Sequence, residues 1–129
     1  MNQLIRTVIT GTGSYIPSFV KTNKDFASHN FYAEDNSALD IEPHLIVEKF
    51  RQITGIEERR YAPADIESSD MAAIAAQRAI EDARCDPETI DQIIVAHNFG
   101  NVIKHTIQID VLPALASRVK HSLNIKNPS

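Results

Sequence analysis

The residue best suited by type to covalent chemistry is the single cysteine, Cys85. A cysteine thiolate attacks carbonyl carbon, and it is favoured at a helix N-terminus or beside a cation. Cys85 instead follows an alanine-rich helical pattern and precedes Asp86, so the helix dipole and the adjacent carboxylate both favour the neutral thiol. We therefore interpret Cys85 as a small apolar filler and not as a nucleophile.

Metal and nucleotide chemistry are both disfavoured. A zinc site needs several converging ligands, and the histidines show no paired short spacing with each other or with Cys85; they are His29, His44, His97, His105 and His121. Gly11 and Gly13 could begin a dinucleotide fingerprint, but Ile16 occupies the place of its third glycine and the next predicted helix is too distant. The sequence predicts no metal and no cofactor.

Two groups of charged residues leave alternatives open. The run EERR at residues 57–60 alternates along a predicted strand and could surround a substrate, but exposed ion pairs at a sheet edge are the favoured interpretation. Lys120, His121 and Lys126 could form a basic surface for an acidic partner. Complementing the negative end of a helix explains Lys120 and His121 equally well.

Composition is typical of a globular domain of the cytoplasm. The chain has 129 residues, of which 43% are hydrophobic, enough to form a core. Its net charge of −4 argues against sequence-independent binding to nucleic acid. No apolar run predicts a membrane span or a secretory signal, and one cysteine makes no intrachain disulfide. We expect a single domain in the cytoplasm, with no nucleic-acid or membrane partner.

The elements of the first half indicate an α/β fold. Residues 4–10 read as a strand, and Thr22 as the N-cap of a short helix that extends to about His29. Residues 30–42 are polar and without period, which is typical of a surface loop. A second helix begins at Pro43 and is ended by Gly55. The residues that fall at helical spacings of one, three and four along it are Leu45, Ile46, Lys49, Phe50 and Ile53.

The second half continues the alternation. Residues 57–61 read as a short strand, and Ser68 or Ser69 as the cap of a helix with a stripe of small residues: Ala72, Ala75, Ala76, Ala79, Ile80 and Ala83. Such a stripe allows close approach to a sheet or helix. Asp86 caps a turn that begins at Pro87, and residues 93–96 read as a buried central strand. A last helix over residues 110–123 directs inward Leu112, Leu115, Ala116, Val119 and Leu123, and places Arg118, Lys120 and His121 toward its C-terminal end.

Four stretches in order carry a resemblance to a known family. They are GTGSYIP at residues 11–17, TNKD at 22–25, ITGIEERRY at 53–61 and SDMAA at 69–73, followed by IIVA at 93–96 and a helix led by Pro113. Together they resemble β-ketoacyl-acyl-carrier-protein synthase III of the thiolase superfamily. The resemblance covers nearly the whole chain but only the opening part of such an enzyme.

The resemblance implies an α/β, thiolase-like fold that is incomplete. Residues 1–129 would form the N-terminal portion of the first half-domain, a sheet with packed helices, with a loop insertion at about residues 30–42. The family usually has glycine at the position of Arg84, so we expect Arg84 to take a left-handed conformation.

The implied reaction is a decarboxylative condensation. In this family a cysteine is acylated by a primer thioester, and malonyl on acyl carrier protein loses carbon dioxide to give the attacking carbanion; a histidine and an asparagine polarise the malonyl carbonyl. These three residues are expected after Ser129, so no catalytic residue is assigned and we expect no turnover by the chain as given. The implied partners are acyl carrier protein, acyl thioesters and a second subunit in a homodimer.

Some departures from the family bear on the primer. Members that use acetyl coenzyme A usually have tryptophan and arginine where this chain has Lys49 and Ile53, which favours a longer, carrier-bound acyl primer. The resemblance places Thr54 and Leu112 at the substrate. Leu112 stands where the family often has a phenylalanine that reaches into the partner's acyl channel, and the shorter leucine suggests a roomier channel.

Two alternatives to this interpretation are open. The chain could be a naturally short, noncatalytic module that pairs with a complete synthase and shapes its pocket. Thiolase and hydroxymethylglutaryl coenzyme A synthase share the fold, but the Thr-Gly-Ile-x-x-Arg-Arg pattern that begins at Thr54 favours synthase III.

Overall fold

The computed structural model describes residues 7–128, which divide into two compact units. The first unit contains residues 7–15 and 64–128, and the second is Ile16–Pro63. The elements in chain order are β1 (Phe19–Thr22), α1 (Pro43–Thr54), β2 (Glu58–Tyr61), α2 (Ser68–Ala83), β3 (Asn101–Val102), β4 (Ile109–Asp110) and α3 (Leu115–Ser122), with 3₁₀ turns at Asn23–Phe26 and Pro87–Thr89.

The antiparallel pair β1–β2 forms the sheet of the second unit, with Phe19 opposite Tyr61 and Thr22 opposite Glu58. The predicted strand at residues 57–61 is therefore confirmed within one residue, whereas β1 was not predicted. Asn23 extends the pairing beyond the ladder: its backbone N–H donates to the Glu57 carbonyl at 3.1 Å and its side-chain amide to the Ile56 carbonyl at 2.9 Å.

The helix predicted at residues 22–29 is a single 3₁₀ turn, Asn23–Phe26. The backbone N–H and the hydroxyl of Thr22 both donate to the Asp25 carboxylate, at 2.7 and 2.8 Å. Thr22 is the N-cap of this turn, as predicted, and forms a reciprocal capping box with Asp25. These two bonds hold the pKa of the Asp25 carboxylate below its ordinary value, and the bond from the hydroxyl has the larger effect.

Helix α1 begins and ends as the sequence predicts. Pro43 occupies its first turn, where a missing N–H costs nothing, and Gly55 ends it in the left-handed region at φ 68°. Ile46 is its buried residue. An exposed pair joins Arg51 to Glu48 at 2.9 Å, and the bond from Arg51 holds the pKa of Glu48 below its ordinary value.

The predicted surface loop at residues 30–42 has a fold of its own. The chain reverses at Asn36, which takes φ 63°, and the backbone and hydroxyl of Ser37 donate to Asp35. An isolated antiparallel bridge joins Tyr32 to Ala38. Just before the turn, the ring of Phe31 contacts Phe50 of α1 edge-on, with centroids 6.0 Å apart.

Helix α2 of the first unit is the predicted alanine-rich helix. Its N-cap is Glu67, not Ser68 or Ser69. Ser69 lies inside the helix, and its backbone N–H donates to the side-chain oxygen of Asn101 at 2.9 Å. At the other end Arg84 takes the left-handed conformation at φ 51°, as the sequence predicts.

The small stripe of α2 receives the backbone of residues 11–13. A Cβ atom added to Gly11 would overlap the backbone of Ala79 and Ala83, and one added to Gly13 would overlap the backbone of Ala75 and Ala79. The predicted close approach is therefore confirmed. The backbone N–H of Thr12 also donates to Asp82 at 2.9 Å, which fixes the segment along the helix.

Helix α3 begins later than predicted. Residues 109–110 pair as β4 with β3, so the helix starts at Leu115 instead of Asp110. Leu115 and Val119 are buried as predicted and form the core with Ala73 and Ile125. Leu112 was predicted to face inward, but it lies before the helix and is 78% exposed.

Two predicted strands make no ladder in the part of the chain that the structure describes. Residues 4–6 of the first lie outside the described residues, and residues 7–10 pair with no strand. Residues 93–96 were predicted to be a buried central strand, yet they pair with no described strand and Ile94 is 80% exposed. A strand needs a neighbouring strand to satisfy its backbone, and no described residue supplies one here.

Candidate functional site

Leu112, predicted to bind substrate, lies on a short segment that Arg118 braces. The guanidinium of Arg118 donates to the carbonyls of Leu112 and Pro113, each at 2.8 Å, and to the Asp110 carboxylate at 2.8 Å. A planar guanidinium with donors fixed in a fork holds these three acceptors in one arrangement. Because the backbone is held while the Leu112 side chain is exposed, the segment presents an apolar side chain at the surface in a fixed position.

Arg118 was predicted to complement the C-terminal end of its helix. In the structure it lies in the first turn of α3 and reaches back past the N-terminus. The prediction was wrong because it started the helix at Asp110, which moved Arg118 toward the middle. The signal available in the sequence was an acidic residue upstream of the helix, Asp110, which needs a cation partner when partly buried.

A buried amide ties the β3–β4 hairpin to α2. Asn101 is 1% exposed, and its oxygen accepts from the Ser69 backbone while its NH₂ donates to Glu67 at 2.6 Å and to the Ser69 hydroxyl at 2.9 Å. Such a satisfied buried network fixes the position of the hairpin that leads to Leu112. Nothing in the sequence singles out Asn101, because an asparagine among loop residues carries no signal of burial.

Thr54, the other predicted substrate-binding residue, ends α1 in the second unit. Its hydroxyl donates to the Phe50 carbonyl at 2.7 Å and accepts from the Ile56 backbone N–H at 3.1 Å. These bonds shape the turn at Gly55. Thr54 belongs to the second compact unit and Leu112 to the first.

The surface of α1 at Lys49 and Ile53 is open. Lys49 is exposed, and Ile53 is 71% exposed. An aliphatic side chain and a flexible ammonium offer neither the flat ring nor the planar guanidinium expected of an adenine site.

The charged run at residues 57–60 contains two exposed ion pairs and one half-buried arginine. Glu57 pairs with Arg51 at 3.3 Å and Glu58 with Arg60 at 2.9 Å, both as exposed ion pairs. These contacts agree with the favoured interpretation of a solvated edge. Arg59 differs: it is half-buried, and its guanidinium lies 5.6 Å from the ring centre of Phe26.

Cys85 is exposed, so it does not fill a core as predicted. Because Arg84 ends α2 and turns the chain outward, the next side chain leaves the packed face. Among residues 7–128, no group of three or more His, Cys, Asp and Glu side chains is placed to hold a metal ion.

Two of the basic residues near the end of α3 contact the chain itself. The ammonium of Lys120 donates to the Asn127 carbonyl, and the backbone N–H of Lys126 donates to the Glu88 carboxylate at 3.0 Å. Lys120 therefore helps to fix the segment that follows the helix. Across residues 7–128, no helix has both the length and the apolar character to cross a bilayer.

Comparison with known proteins supports a relation to ketosynthases. No family model matches the chain. Among solved structures, the priming β-ketosynthase of the R1128 polyketide biosynthetic pathway matches with a TM-score of 0.62 and 29% sequence identity, over 92% of this chain. The chain spans 29% of the length of that ketosynthase.

The fold is therefore that of part of a thiolase-fold ketosynthase. The described residues supply three helices and two small antiparallel sheets of it. The similarity agrees with the family resemblance drawn from the sequence motifs, at the level of a β-ketoacyl synthase III-like condensing enzyme.

Proposed function

We propose that this sequence belongs to a β-ketoacyl-acyl-carrier-protein synthase III-like enzyme that condenses an acyl primer with malonyl-acyl carrier protein. The observation that carries the proposal is the joint likeness in sequence and fold to a priming β-ketosynthase, at 29% identity over 92% of the chain. We assign the cysteine, histidine and asparagine of the reaction to no residue of this chain, and propose that the chain alone gives no turnover.

In this enzyme, residues of this chain help to bind and position the primer. Leu112, exposed on a segment held by Arg118, contacts the acyl group, and Thr54 shapes the turn beside the thioester. The absence of a ring or guanidinium at Lys49 and Ile53 favours a carrier-bound primer over coenzyme A. The enzyme acts as a homodimer in the cytoplasm, with acyl carrier protein as its partner.

The test compares acyl primers of different length in the complete synthase that carries this sequence, with Leu112→Phe against the parent. Phenylalanine fills the channel, so kcat/KM should fall about tenfold more for long primers than for short ones, since a methylene contact is worth ~1–3 kcal/mol. Val111→Phe is the matched control, because Val111 is also exposed in the same segment. Equal losses across all primers would contradict the role of Leu112.

The activity itself has a separate test. The complete synthase should release carbon dioxide from malonyl-acyl carrier protein only when an acyl primer is present. The 129-residue chain should release no carbon dioxide with or without a primer. Cys85→Ala should leave the activity of the synthase unchanged. Turnover by the chain alone would refute the assignment of its catalytic residues to other parts of the enzyme.

A further inference from the structure

The second unit contains an aromatic pocket that the proposed condensation does not use. Its volume is about 210 Å³. Its walls come from the 3₁₀ turn, the segment before α1, the helix itself and β2; the lining side chains that matter are Asn23, Phe26, Phe31, Phe50, Arg59 and Tyr61. All of them lie within one compact unit.

The segment at residues 30–42 helps to build this pocket. Phe31 leads into its turn and contacts Phe50 edge-on at 6.0 Å, so the segment closes one wall against α1. The backbone of Leu39 donates to the Phe31 carbonyl at 2.9 Å, which holds Phe31 in place. An aromatic wall held by a folded segment gives a pre-formed apolar site.

One positive charge faces the pocket. Arg59 is half-buried, lies over Phe26 and has a single long hydrogen bond, 3.5 Å to the Asn23 oxygen. Glu57, Glu58 and Arg60 instead form exposed pairs, so no described carboxylate neutralises Arg59. A guanidinium has five N–H donors in a fork that matches a carboxylate. The charge and the rings together favour an anion with an apolar body.

We infer that this pocket binds a small monocarboxylate with an aliphatic chain, its carboxylate on Arg59 and its chain among Phe26, Phe31 and Phe50. The volume is below the ~300–1,000 Å³ of drug-sized sites, so the ligand is a short- to medium-chain acid. The aromatic rings contact the methylene groups, and the carboxylate takes up the unused donors of Arg59. This inference stands apart from the proposed condensing activity.

The test titrates the isotope-labelled 129-residue chain by NMR with hexanoate, hexanamide and acetate. Hexanoate should give saturable shifts at Phe31 and Arg59. Hexanamide keeps the aliphatic chain but lacks the charge. It should bind at least about tenfold more weakly than hexanoate, because it cannot form the charge-assisted hydrogen bond to Arg59. Acetate keeps the charge but lacks the chain, and should give no saturation.

Matched variants separate the site from the fold. Arg59→Gln should remove the preference for hexanoate over hexanamide, whereas Arg60→Gln, in the same strand but on the exposed face, should keep it. Phe31→Ala should weaken both ligands, whereas Tyr32→Ala, 59% exposed in the same segment, should not. If Arg59→Gln unfolds, Arg59→Lys replaces it in the test. Arg59→Lys keeps the charge and should keep the preference for hexanoate over hexanamide.

Three results would overturn the inference. Equal affinity for hexanoate and hexanamide would show that Arg59 does not bind the ligand. Equal effects of Arg59→Gln and Arg60→Gln would show that the charge acts from the surface. Lower melting temperatures for the Arg59 and Phe31 variants, with no saturable binding to the parent chain, would show that the pocket is only a packing defect of this unit.

Discussion

Arg84 shows how one residue can depart from the favoured chemistry of its position. It ends α2 at φ 51° and ψ 34°, a conformation in which an L residue places its Cβ too close to the following carbonyl. Glycine takes this conformation without that contact. The backbone at this point is therefore strained in this chain.

Replacing Arg84 with glycine should stabilise the protein by about 0.5–1 kcal/mol. Removing the Cβ relieves the left-handed conformation, and the gain is partly offset by the greater freedom of glycine in the unfolded chain. Arg84→Ala is the matched control, because it removes the charge and keeps the Cβ. Urea unfolding should show a higher midpoint for the glycine variant alone, and an equal rise for both would attribute the effect to charge.

The site residues differ in how much the sequence reveals of them. Thr54 and Leu112 could be singled out because they occupy positions in recognisable stretches. Arg118 was missed because the predicted helix began at Asp110, which in the structure is one of its acceptors. Asn101 could not be singled out, because tertiary structure brings its partners to it: the Ser69 backbone N–H that donates to its oxygen lies 32 residues away in sequence. No local pattern records such a contact.

At the scale of elements, helices α1 and α2 followed the sequence closely, whereas β2 was the one predicted strand that formed among the described residues. Helices α1 and α2 are determined by local signals, with Pro43 and Gly55 at the ends of one and an alanine stripe in the other. A strand depends on a partner distant in sequence, so residues 93–96 could be apolar without joining a ladder. The β3–β4 hairpin has two residues in each strand, too few for a period.

The contact of residues 11–13 with α2 leads to a prediction. Gly13→Ala would place a methyl group against the backbone of Ala75 and Ala79, which cannot move aside as a side chain can. We expect a loss of about 1–3 kcal/mol in the free energy of unfolding, typical of overpacking. Ser14→Ala, at the exposed neighbouring position, should change stability by less than about 0.5 kcal/mol.

Chemical denaturation of both variants provides the measurement. A loss for Gly13→Ala that matches Ser14→Ala would mean that the segment can withdraw from the helix. In that case the hydrogen bond from Thr12 to Asp82 should also be absent, which amide exchange at Thr12 would report.

At the scale of the whole molecule, the first unit exposes large apolar side chains in several segments. The most exposed are Val8 at 75%, Ile9 at 87%, Ile94 at 80%, Ile107 at 100% and Leu112 at 78%. Large exposed apolar side chains in such number favour packing against another protein surface. Two of these segments, residues 7–10 and 93–96, also pair with no described strand.

We therefore expect the chain to self-associate in solution. Sedimentation at micromolar concentrations should show species larger than a monomer, together with binding of a hydrophobic dye. Ile94→Asp should reduce both, because a charge on the exposed edge opposes strand addition. Gln92→Asp, two residues earlier and also exposed, should have a smaller effect. A clean monomer that binds little dye would contradict the expectation.

The first unit is assembled from two parts of the chain that flank the second unit, and this has a consequence for synthesis. Thr12 and its partner Asp82 are 70 residues apart, so the ribosome makes all of Ile16–Pro63 before α2 can receive the glycine segment. The second unit can form its β1–β2 pair and its helix during that interval. Once the second unit has folded, less flexible chain separates Thr12 from Asp82. The entropy lost when these two residues come into contact is then smaller. The order of translation thus favours folding of the continuous unit first and completion of the divided unit last.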